Sequence, residues 1–218
     1  MEKLKVSLCV VTHNSEERIG KMLRMHRDVV DEILVIDQSS TDNTRVEAEK
    51  YADRVITRRC KGASDPDRNW LYAQARNPWV LYLDDDEYLD HNTIKRLPVL
   101  LAQDKIHIYW LKHKNLVNGI DIKELSGDDW HPRLFRKGSM RYLDQQTSVD
   151  HTYPEAATGT NVAHVNYFIV HDRTLEKIKK ANRDRNRVAT PEQINLQENY
   201  IAAVEKLLAK KKEEKANK

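Results

Sequence analysis

The sequence predicts a doubly wound α/β domain with a mostly parallel central sheet flanked by helices. Three nearly continuous apolar runs, at residues 6–11, 32–37 and 79–83, have the pattern of strands that are covered on both faces. Segments with helical spacing separate these runs, and strands that alternate with helices are typical of this class. A chain of 218 residues is long enough for one such domain with a sizeable core.

Helix signals lie between the apolar runs of the first half. Helices are predicted over residues 16–26, 46–52 and 68–75, with a further short strand at 54–56. Asn14 or Ser15 can cap the first helix, and Thr41 or Asp42 the second, because their side chains accept hydrogen bonds from the unpaired amides at a helix start.

The pattern is less regular in the second half of the chain. Further elements are strands at residues 106–112, 133–136 and 162–170 and a charged helix at 174–187. Residues 93–103 have helical spacing, but Pro98 within them predicts two helical pieces or a kink. Thr190 and Pro191 begin a C-terminal helical extension, and Gln193 completes a capping box with Thr190.

The positive charge of the chain is concentrated at its C-terminus. Six lysines and three glutamates in residues 205–218 account for the whole net charge of +3. A nucleic-acid-binding protein more often carries a basic face across its body, so no nucleic-acid partner is expected. A solvated lysine tail is the simplest interpretation, and contact of the tail with an anionic membrane face or a partner is the alternative.

Composition indicates the compartment. Charged residues make up 33% of the chain, and the longest apolar runs are too short to cross a bilayer. The charged residues at the start do not resemble a signal peptide, and Cys9 and Cys60 are expected to be reduced thiols. A cytoplasmic protein is therefore expected, with a peripheral position at the inner membrane face if the lysine tail binds lipid.

The glycine spacing excludes two common nucleotide-binding loops. The six glycines are never closer than eight residues in sequence, so neither the G-x-G-x-x-G motif nor the Walker motif is present. An ordinary dinucleotide-binding domain or P-loop NTPase is therefore disfavoured. The first apolar run ends instead in a polar loop, residues 12–16, which opens a helix whose N-terminal amides can face a ligand.

Acidic and small polar residues follow all three apolar runs. Thr12 and Asn14 follow the first, residues 37–42 the second, and four consecutive carboxylates, residues 84–87, the third. In open α/β sheets, ligands bind at the carboxyl ends of the strands. Four adjacent carboxylates repel one another, and a hard divalent ion such as Mg²⁺ or Mn²⁺ removes that repulsion and can also bind a diphosphate. A solvated acidic turn is the alternative.

The order of these short motifs resembles the family 2 glycosyltransferases, and most closely the short bacterial members that extend lipopolysaccharide cores or modify peptides. In that family the first strand ends in Thr-Tyr-Asn, the second in Asp-x-Gly-Ser-Thr-Asp and the third in Asp-x-Asp followed by Glu. The matching segments are residues 12–14, 37–42 (with Ser39 in place of the glycine) and 84–87, then Lys61-Gly62, Arg68-Asn69 and the Arg-Leu-Phe-Arg of residues 133–136. The resemblance covers roughly residues 5–187.

The resemblance implies an enzyme with a GT-A fold that uses a nucleotide-sugar donor, with a UDP-sugar as the first candidate. The GT-A domain would cover residues 1–187, divided into a nucleotide-sugar half (1–105) and an acceptor half (106–187), and residues 188–218 would form the C-terminal helix and tail. The implied donor-site residues are Thr12, Asn14 and Glu16 along the nucleotide, Asp37 at the base, Arg68 near the ribose or diphosphate, Asp84 and Asp85 at the ribose and metal, and Asp86 on the metal ion, Mn²⁺ or Mg²⁺.

The catalytic base is the point at which this sequence departs from the family pattern. Related enzymes often carry Val-His-Glu after the Arg-Leu-Phe-Arg strand, and the nearest match here is Val149-Asp150-His151. Asp150 is the favoured base for an inverting single displacement, with His151 and Glu155 as alternatives. Three surface-loop residues without a catalytic role are an equally good interpretation.

Histidines complete the metal shell in some GT-A enzymes. His171 follows an apolar strand and is the best-placed candidate here, with His164 second. The residues assigned to the acceptor side are Trp130, His131 and Arg133. Trp110 is assigned to the core.

Two other functions stay open on the sequence. A nucleotidyltransferase shares the sheet and the carboxylate–metal chemistry, but it normally has a Gly-rich basic first loop, which residues 12–15 lack. A glycosyltransferase-like module that binds saccharide without turnover is the third reading, against which Asp84 and Asp86 argue. The acceptor class is open between lipid-linked saccharide, glycan, protein and small molecule, and a partner or homo-oligomer is the candidate to supply part of its site.

Overall fold

The computed structural model describes residues 2–59, 65–142, 154–185 and 190–216. The chain divides into two compact units, the first comprising Met1–Lys112 with Trp130–Ile169 and the second His113–Asp129 with Val170–Lys218. Of the candidate site residues that are described, His171 alone belongs to the second unit.

The elements alternate between strand and helix in the first half, as predicted. They are β1 (Leu4–Thr12), α1 (Ile19–His26), β2 (Val30–Asp37), α2 (Thr44–Glu49), β3 (Arg54–Thr57), α3 (Asp65–Gln74), β4 (Trp79–Tyr82), β5 (Glu87–Leu89) and α4 (His91–Leu101). The second half contains β6 (Ile108–Val117), β7 (Ile120–Asp121), α5 (Lys123–Ser126), β8 (Trp130–Arg136), β9 (Met140–Tyr142), β10 (Pro154–Ala156), β11 (Val162–Arg173), α6 (Leu175–Arg185) and α7 (Pro191–Ala216).

The main sheet has the strand order β3-β2-β1-β4-β8-β6-β11-β5, with β7 paired to β6. Strands β3, β2, β1 and β4 are parallel, whereas β8 runs antiparallel to both β4 and β6. Thr12 at the end of β1 pairs with Asp37 at the end of β2. The carboxyl ends of the parallel strands therefore lie at one edge, where a ligand is expected in such a sheet.

The sheet of the first unit is covered on both faces. Along β1, Val6, Leu8 and Val10 belong to one buried apolar cluster, whereas Cys9 and Val11 belong to another. Successive side chains of a strand point to opposite faces, so an unbroken apolar run is what two covered faces require. The prediction of buried parallel strands is confirmed.

Of the two alternatives predicted for the segment around Pro98, the division into two helical pieces is wrong, and the kink stays a prediction. Residues His91–Leu101 form one helix that contains Pro98, and the Asp90 carboxylate caps it by accepting a hydrogen bond from the Thr93 amide at 2.7 Å. Leu97 and Leu100 on either side of the proline are both buried in the first unit's core. Burial of this apolar face holds the helix together across a residue that lacks an amide proton.

The second unit contains a small core of its own around α6 and α7. Its buried members are Val117, Ile122, Ile178, Val204 and Leu208. The predicted capping box at the start of α7 is confirmed, because the Thr190 amide donates to Gln193 Oε1 at 2.9 Å and the Gln193 amide donates to Thr190 Oγ1 at 3.3 Å. Within the described part of the chain, no helix is long and apolar enough to cross a membrane.

A buried histidine connects α1 to β5 and makes the stability of the fold depend on pH. His26 is fully buried; its Nδ1–H donates to the Met22 carbonyl at 2.9 Å, and its Nε2 accepts from the Leu89 amide at 3.2 Å. Burial lowers the pKa of His26, and the hydrogen bond to the Met22 carbonyl only partly opposes this effect. A protonated Nε2 would lose the Leu89 amide as a donor, so the folded state keeps the ring neutral.

Acidification below the pKa of an unfolded histidine, about 6.5, should therefore destabilise the protein through His26 by up to about 1.4 kcal/mol per pH unit. Above that pH the ring is neutral in both the folded and the unfolded state, and its contribution to the free energy of unfolding is fully present. Urea unfolding at several pH values, of the wild type and of His26→Gln, measures this effect. The difference in free energy of unfolding between the two proteins should shrink as the pH falls. A pH-independent difference would contradict the role assigned to His26.

Candidate active site

The loops after β1 and β2 are tied together by side chain to backbone hydrogen bonds. Asn14 has a positive φ of 49°, and its Oδ1 accepts from the Thr41 amide at 2.9 Å while its own amide donates to Ser40 Oγ at 2.9 Å. Ser39 also has a positive φ, 54°. This conformation favours glycine, which explains why the family pattern has a glycine at that position.

Asp37 lies buried at the end of β2. Its Oδ1 accepts a hydrogen bond from the Ser40 amide at 3.2 Å, so the turn that follows the strand fixes the carboxylate. Glu16 is exposed and joins the second loop, because its Oε2 accepts from the Asn43 amide at 2.8 Å. The structure therefore brings together Thr12, Asn14, Glu16 and Asp37, the four residues predicted to line the nucleotide.

The loop after β4 is anchored to the loop after β1 through Asp85. The Thr12 hydroxyl donates to Asp85 Oδ2 at 2.8 Å, and the Ser15 hydroxyl donates to the same oxygen. The Arg18 guanidinium lies 3.5 Å from Asp85 Oδ1. These contacts hold one of the three consecutive aspartates against the start of α1.

The neighbouring Asp84 is held by a different set of partners. The Tyr82 hydroxyl and the Arg68 guanidinium donate to Asp84 Oδ1 at 2.5 and 3.3 Å, and Arg133 donates to Asp84 Oδ2 at 2.7 Å. Arg133 also donates to Glu87 Oε1 at 2.6 Å, and Glu87 Oε2 accepts from the Asp84 amide at 3.0 Å. Arg133 thus bridges two carboxylates of the acidic run, and Asp84 is fixed by both its side chain and its backbone.

The two arginines of this network are buried. Burial on its own lowers the pKa of Arg133, but the charges of Glu87 and Asp84 outweigh it and raise the pKa above its ordinary value. Burial likewise lowers the pKa of Arg68, and Tyr82 and Asp84 outweigh it, so that pKa is raised too. Both guanidinium groups stay charged, and they offset the mutual repulsion of the carboxylates.

Two tyrosines enclose Arg68. Its guanidinium carbon lies 4.7 Å from the centroid of the Tyr82 ring and 4.8 Å from that of Tyr142, within the range of cation–π attraction. Asn69 fixes the second ring by bonding to both backbone groups of Tyr142, at 2.7 and 2.8 Å. The Arg68-Asn69 pair thus has two roles, since Arg68 holds Asp84 and Asn69 holds β9.

The carboxylates at the end of β4 have the donor chemistry of a divalent-ion site. They offer oxygen ligands only, which suit Mg²⁺ or Mn²⁺. Asp84 and Asp86 are both half-buried, at the carboxyl end of a parallel strand. The donor set fits the implied metal ion, and the assignment of Asp84 and Asp86 to that ion stays a prediction.

The candidate histidine ligand and the candidate catalytic bases each have different neighbours. His171 lies in the second unit, where its Nδ1 is 3.0 Å from Asn115 Oδ1 and its ring centroid is 5.3 Å from that of His113. Glu155 lies on β10 and is exposed, 3.8 Å from the Arg141 guanidinium. Asp150 and His151 lie outside the described residues. The roles of these four residues stay predictions.

Sequence reasoning missed several members of the site. Tyr82 and Tyr142 were not singled out, and Arg133 was assigned to the acceptor side although it is 4% exposed and holds Asp84 and Glu87. The available signal was an arginine directly before Leu134 and Phe135 in a predicted strand, since a buried charge needs a buried partner.

Comparison with known proteins agrees with the geometry. Residues 7–154 match the family model described as glycosyl transferase family 2. An uncharacterized glycosyltransferase of Rickettsia felis is 29% identical over 134 residues, which cover 60% of this chain and 44% of the relative. The lipopolysaccharide core biosynthesis glycosyltransferase LpsC of Rhizobium meliloti is 25% identical over 188 residues, covering 81% of this chain and 69% of LpsC.

A solved structure shows the same fold. The crystal structure of S. aureus TarS 1-349 in complex with UDP superposes with a TM-score of 0.58 at 18% identity, covering 83% of this chain and 64% of that one. This chain spans less than half the length of the Rickettsia felis relative. Because the family model matches more than half of the chain, the protein belongs to glycosyl transferase family 2, and its sheet and flanking helices form the GT-A fold.

Proposed function

We propose that this protein transfers a sugar from a nucleotide-sugar donor, a UDP-sugar, to a hydroxyl group of an acceptor. One observation carries the proposal. The loops after β1, β2 and β4 form a single hydrogen-bonded set at the carboxyl ends of parallel strands, with Asp85 bonded to Thr12 and Asp84 bonded to Arg68. The TarS structures named as complexes with UDP and UDP-GlcNAc share this fold and support a uridine nucleotide.

The proposed donor site divides the nucleotide between two groups of residues. Thr12, Asn14, Glu16 and Asp37 face the base and ribose, where the fixed Asp37 carboxylate accepts a hydrogen bond from an N–H of the base. Arg68 approaches the ribose or the diphosphate with a permanent positive charge. Rigid loops suit this task, because positions held by hydrogen bonds before binding cost less entropy on binding.

The diphosphate end is assigned to the aspartates after β4. Asp86 would hold a divalent ion, with Asp84 and Asp85 sharing contacts to the ion and the ribose. Bound there, Mn²⁺ or Mg²⁺ supplies a Lewis acid that stabilises the departing diphosphate. Arg133 holds the Asp84 carboxylate, and Glu87 holds the Asp84 backbone by accepting from its amide.

The transfer itself is a single displacement that inverts the anomeric centre. The acceptor oxygen forms a bond to the anomeric carbon while the bond from that carbon to the diphosphate oxygen breaks. A carboxylate removes the acceptor proton, which contributes a factor of about 10² to 10⁴ in rate. Asp150 is the proposed base, with His151 and Glu155 as the alternatives.

Calorimetric titration with UDP, GDP, CDP and dTDP tests the nucleotide assignment. UDP with Mn²⁺ should bind most tightly, and chelation of the metal should weaken it by about tenfold or more. Asp37→Ala should lower the affinity for UDP while leaving the fold intact, whereas Asp104→Ala, at a fully exposed side chain, is the matched control and should bind like the wild type. Failure of every nucleotide to bind, with or without metal, would contradict the proposal.

A further inference from the structure

Three aromatic rings from three strands form a cluster in the first unit, here called the aromatic platform. It consists of Trp110 on β6, Trp130 on β8 and His164 on β11. The His164 ring stacks on Trp110 with centroids 5.5 Å apart and planes 29° apart, and it meets Trp130 edge-on at 5.2 Å and 80°.

The platform lies on the same face of the sheet as the Asp84 network. Trp110 packs against the buried cluster that contains Tyr82 and Tyr142, the two tyrosines around Arg68. The neighbours of His164 along β11, Ala163 and Val165, pack against the cluster on the opposite face. Side chains alternate along a strand, so His164 points to the Tyr82 face as well.

Core packing accounts for Trp110 but not for Trp130 and His164. His164 is exposed, and Trp110 and Trp130 are only half-buried. The Lys112 ammonium lies over the Trp130 ring, 4.7 Å from its centroid, which adds a positive charge to the platform. Lys112 and Trp130 are register partners on β6 and β8, so the strand pairing itself fixes this combination.

The chemistry of the platform matches one kind of ligand. A pyranose ring has an apolar face of C–H groups and an equatorial rim of hydroxyls. Flat aromatic surfaces suit the first, and indole N–H, imidazole and ammonium donors at the edge suit the second. The small extent of the platform fits one sugar ring, whereas a stable protein interface requires about 800 Å² on each partner.

We propose that the aromatic platform binds a pyranose ring of the saccharide acceptor, with stacking on Trp130, a contact with His164 at the edge of the sugar and hydrogen bonds from Lys112. The inference rests on the proposed function, because the donor network on the same face supplies the sugar to be transferred. The sequence assigned Trp130 to the acceptor side, and in the structure this ring contacts His164 and Lys112. Trp110 supports the platform by stacking on His164.

The test uses methyl pyranosides of glucose, galactose, mannose and N-acetylglucosamine with the whole protein. Saturation-transfer NMR should show contact at the C–H groups of one ring face of at least one glycoside. Trp130→Ala should weaken that glycoside by about tenfold, while the affinity for UDP changes less than about twofold. Phe168→Ala removes a partly exposed aromatic ring from the same strand as His164 and should leave glycoside binding unchanged.

His164→Ala provides a second test if Trp130→Ala does not fold, and this variant should also bind the glycoside more weakly. No saturation for any glycoside, or equal glycoside affinity in the wild type and both variants, would overturn the platform even if UDP binds. If the wild type does not bind UDP, the proposed function is overturned instead. The two failures are therefore distinguishable.

Discussion

Replacing Arg133 by methionine should lower the free energy of unfolding by about 3–5 kcal/mol, the range found when one member of a buried ion pair is removed. The guanidinium bonds to Asp84 at 2.7 Å and to Glu87 at 2.6 Å, and the Glu87 side chain is 1% exposed. Methionine fills a similar volume but leaves the Glu87 carboxylate buried without its counter-ion. Urea unfolding followed by circular dichroism measures the loss.

Arg141→Met is the matched control, because Arg141 is exposed and should change stability by no more than about 0.5 kcal/mol. The double variant Arg133→Met with Glu87→Leu should recover part of the loss, since the buried negative charge that Arg133 compensates is then absent as well. A loss below about 1 kcal/mol in Arg133→Met would contradict the role given to this ion pair.

Replacing Asp86 by alanine should reduce donor turnover by about 10³-fold or more, which corresponds to about 4 kcal/mol of lost transition-state stabilisation. Asp86 is proposed to bind the metal ion that neutralises the departing diphosphate. Chelation of the metal should cause a similar loss in the wild type and little further loss in the variant, because both remove the same ion. Turnover that survives both the substitution and the chelator would show that Asp86 and a metal are not required.

Asp84→Asn separates metal binding from structural support. Asp84 accepts from Arg68, Tyr82 and Arg133, so its substitution should reduce stability as well as turnover. Urea unfolding and donor turnover, measured on the same variant, report the two losses separately.

The strands were predictable where burial dictates composition. The unbroken apolar runs of β1, β2 and β4 exist because both faces of each strand are covered, and the capping box at Thr190 depends on residues only three apart. The predicted break of the helix at Pro98 did not occur, since a local rule for proline does not include the burial of Leu97 and Leu100.

The acidic end of the site was predictable, but its support was not. A run of carboxylates after an apolar strand predicts by itself a nearby cation or basic side chain, because like charges require compensation. The compensating groups come from 16 and 49 residues away in sequence, in the case of Arg68 and Arg133 with Asp84. The contact of Arg133 depends on the strand order, which places β8 beside β4, and short-range periodicity does not encode that order.

Release of nucleotide from a panel of UDP-, GDP-, CMP- and dTDP-sugars, with and without Mn²⁺, tests the central claim most directly. We expect one donor, a UDP-sugar, to be turned over in a metal-dependent reaction, slowly with water as the acceptor, and not at all by Asp86→Ala. Absence of turnover and of binding for every donor, under both conditions, would make the acids at the strand ends structural and would leave a saccharide-binding module as the function of this chain.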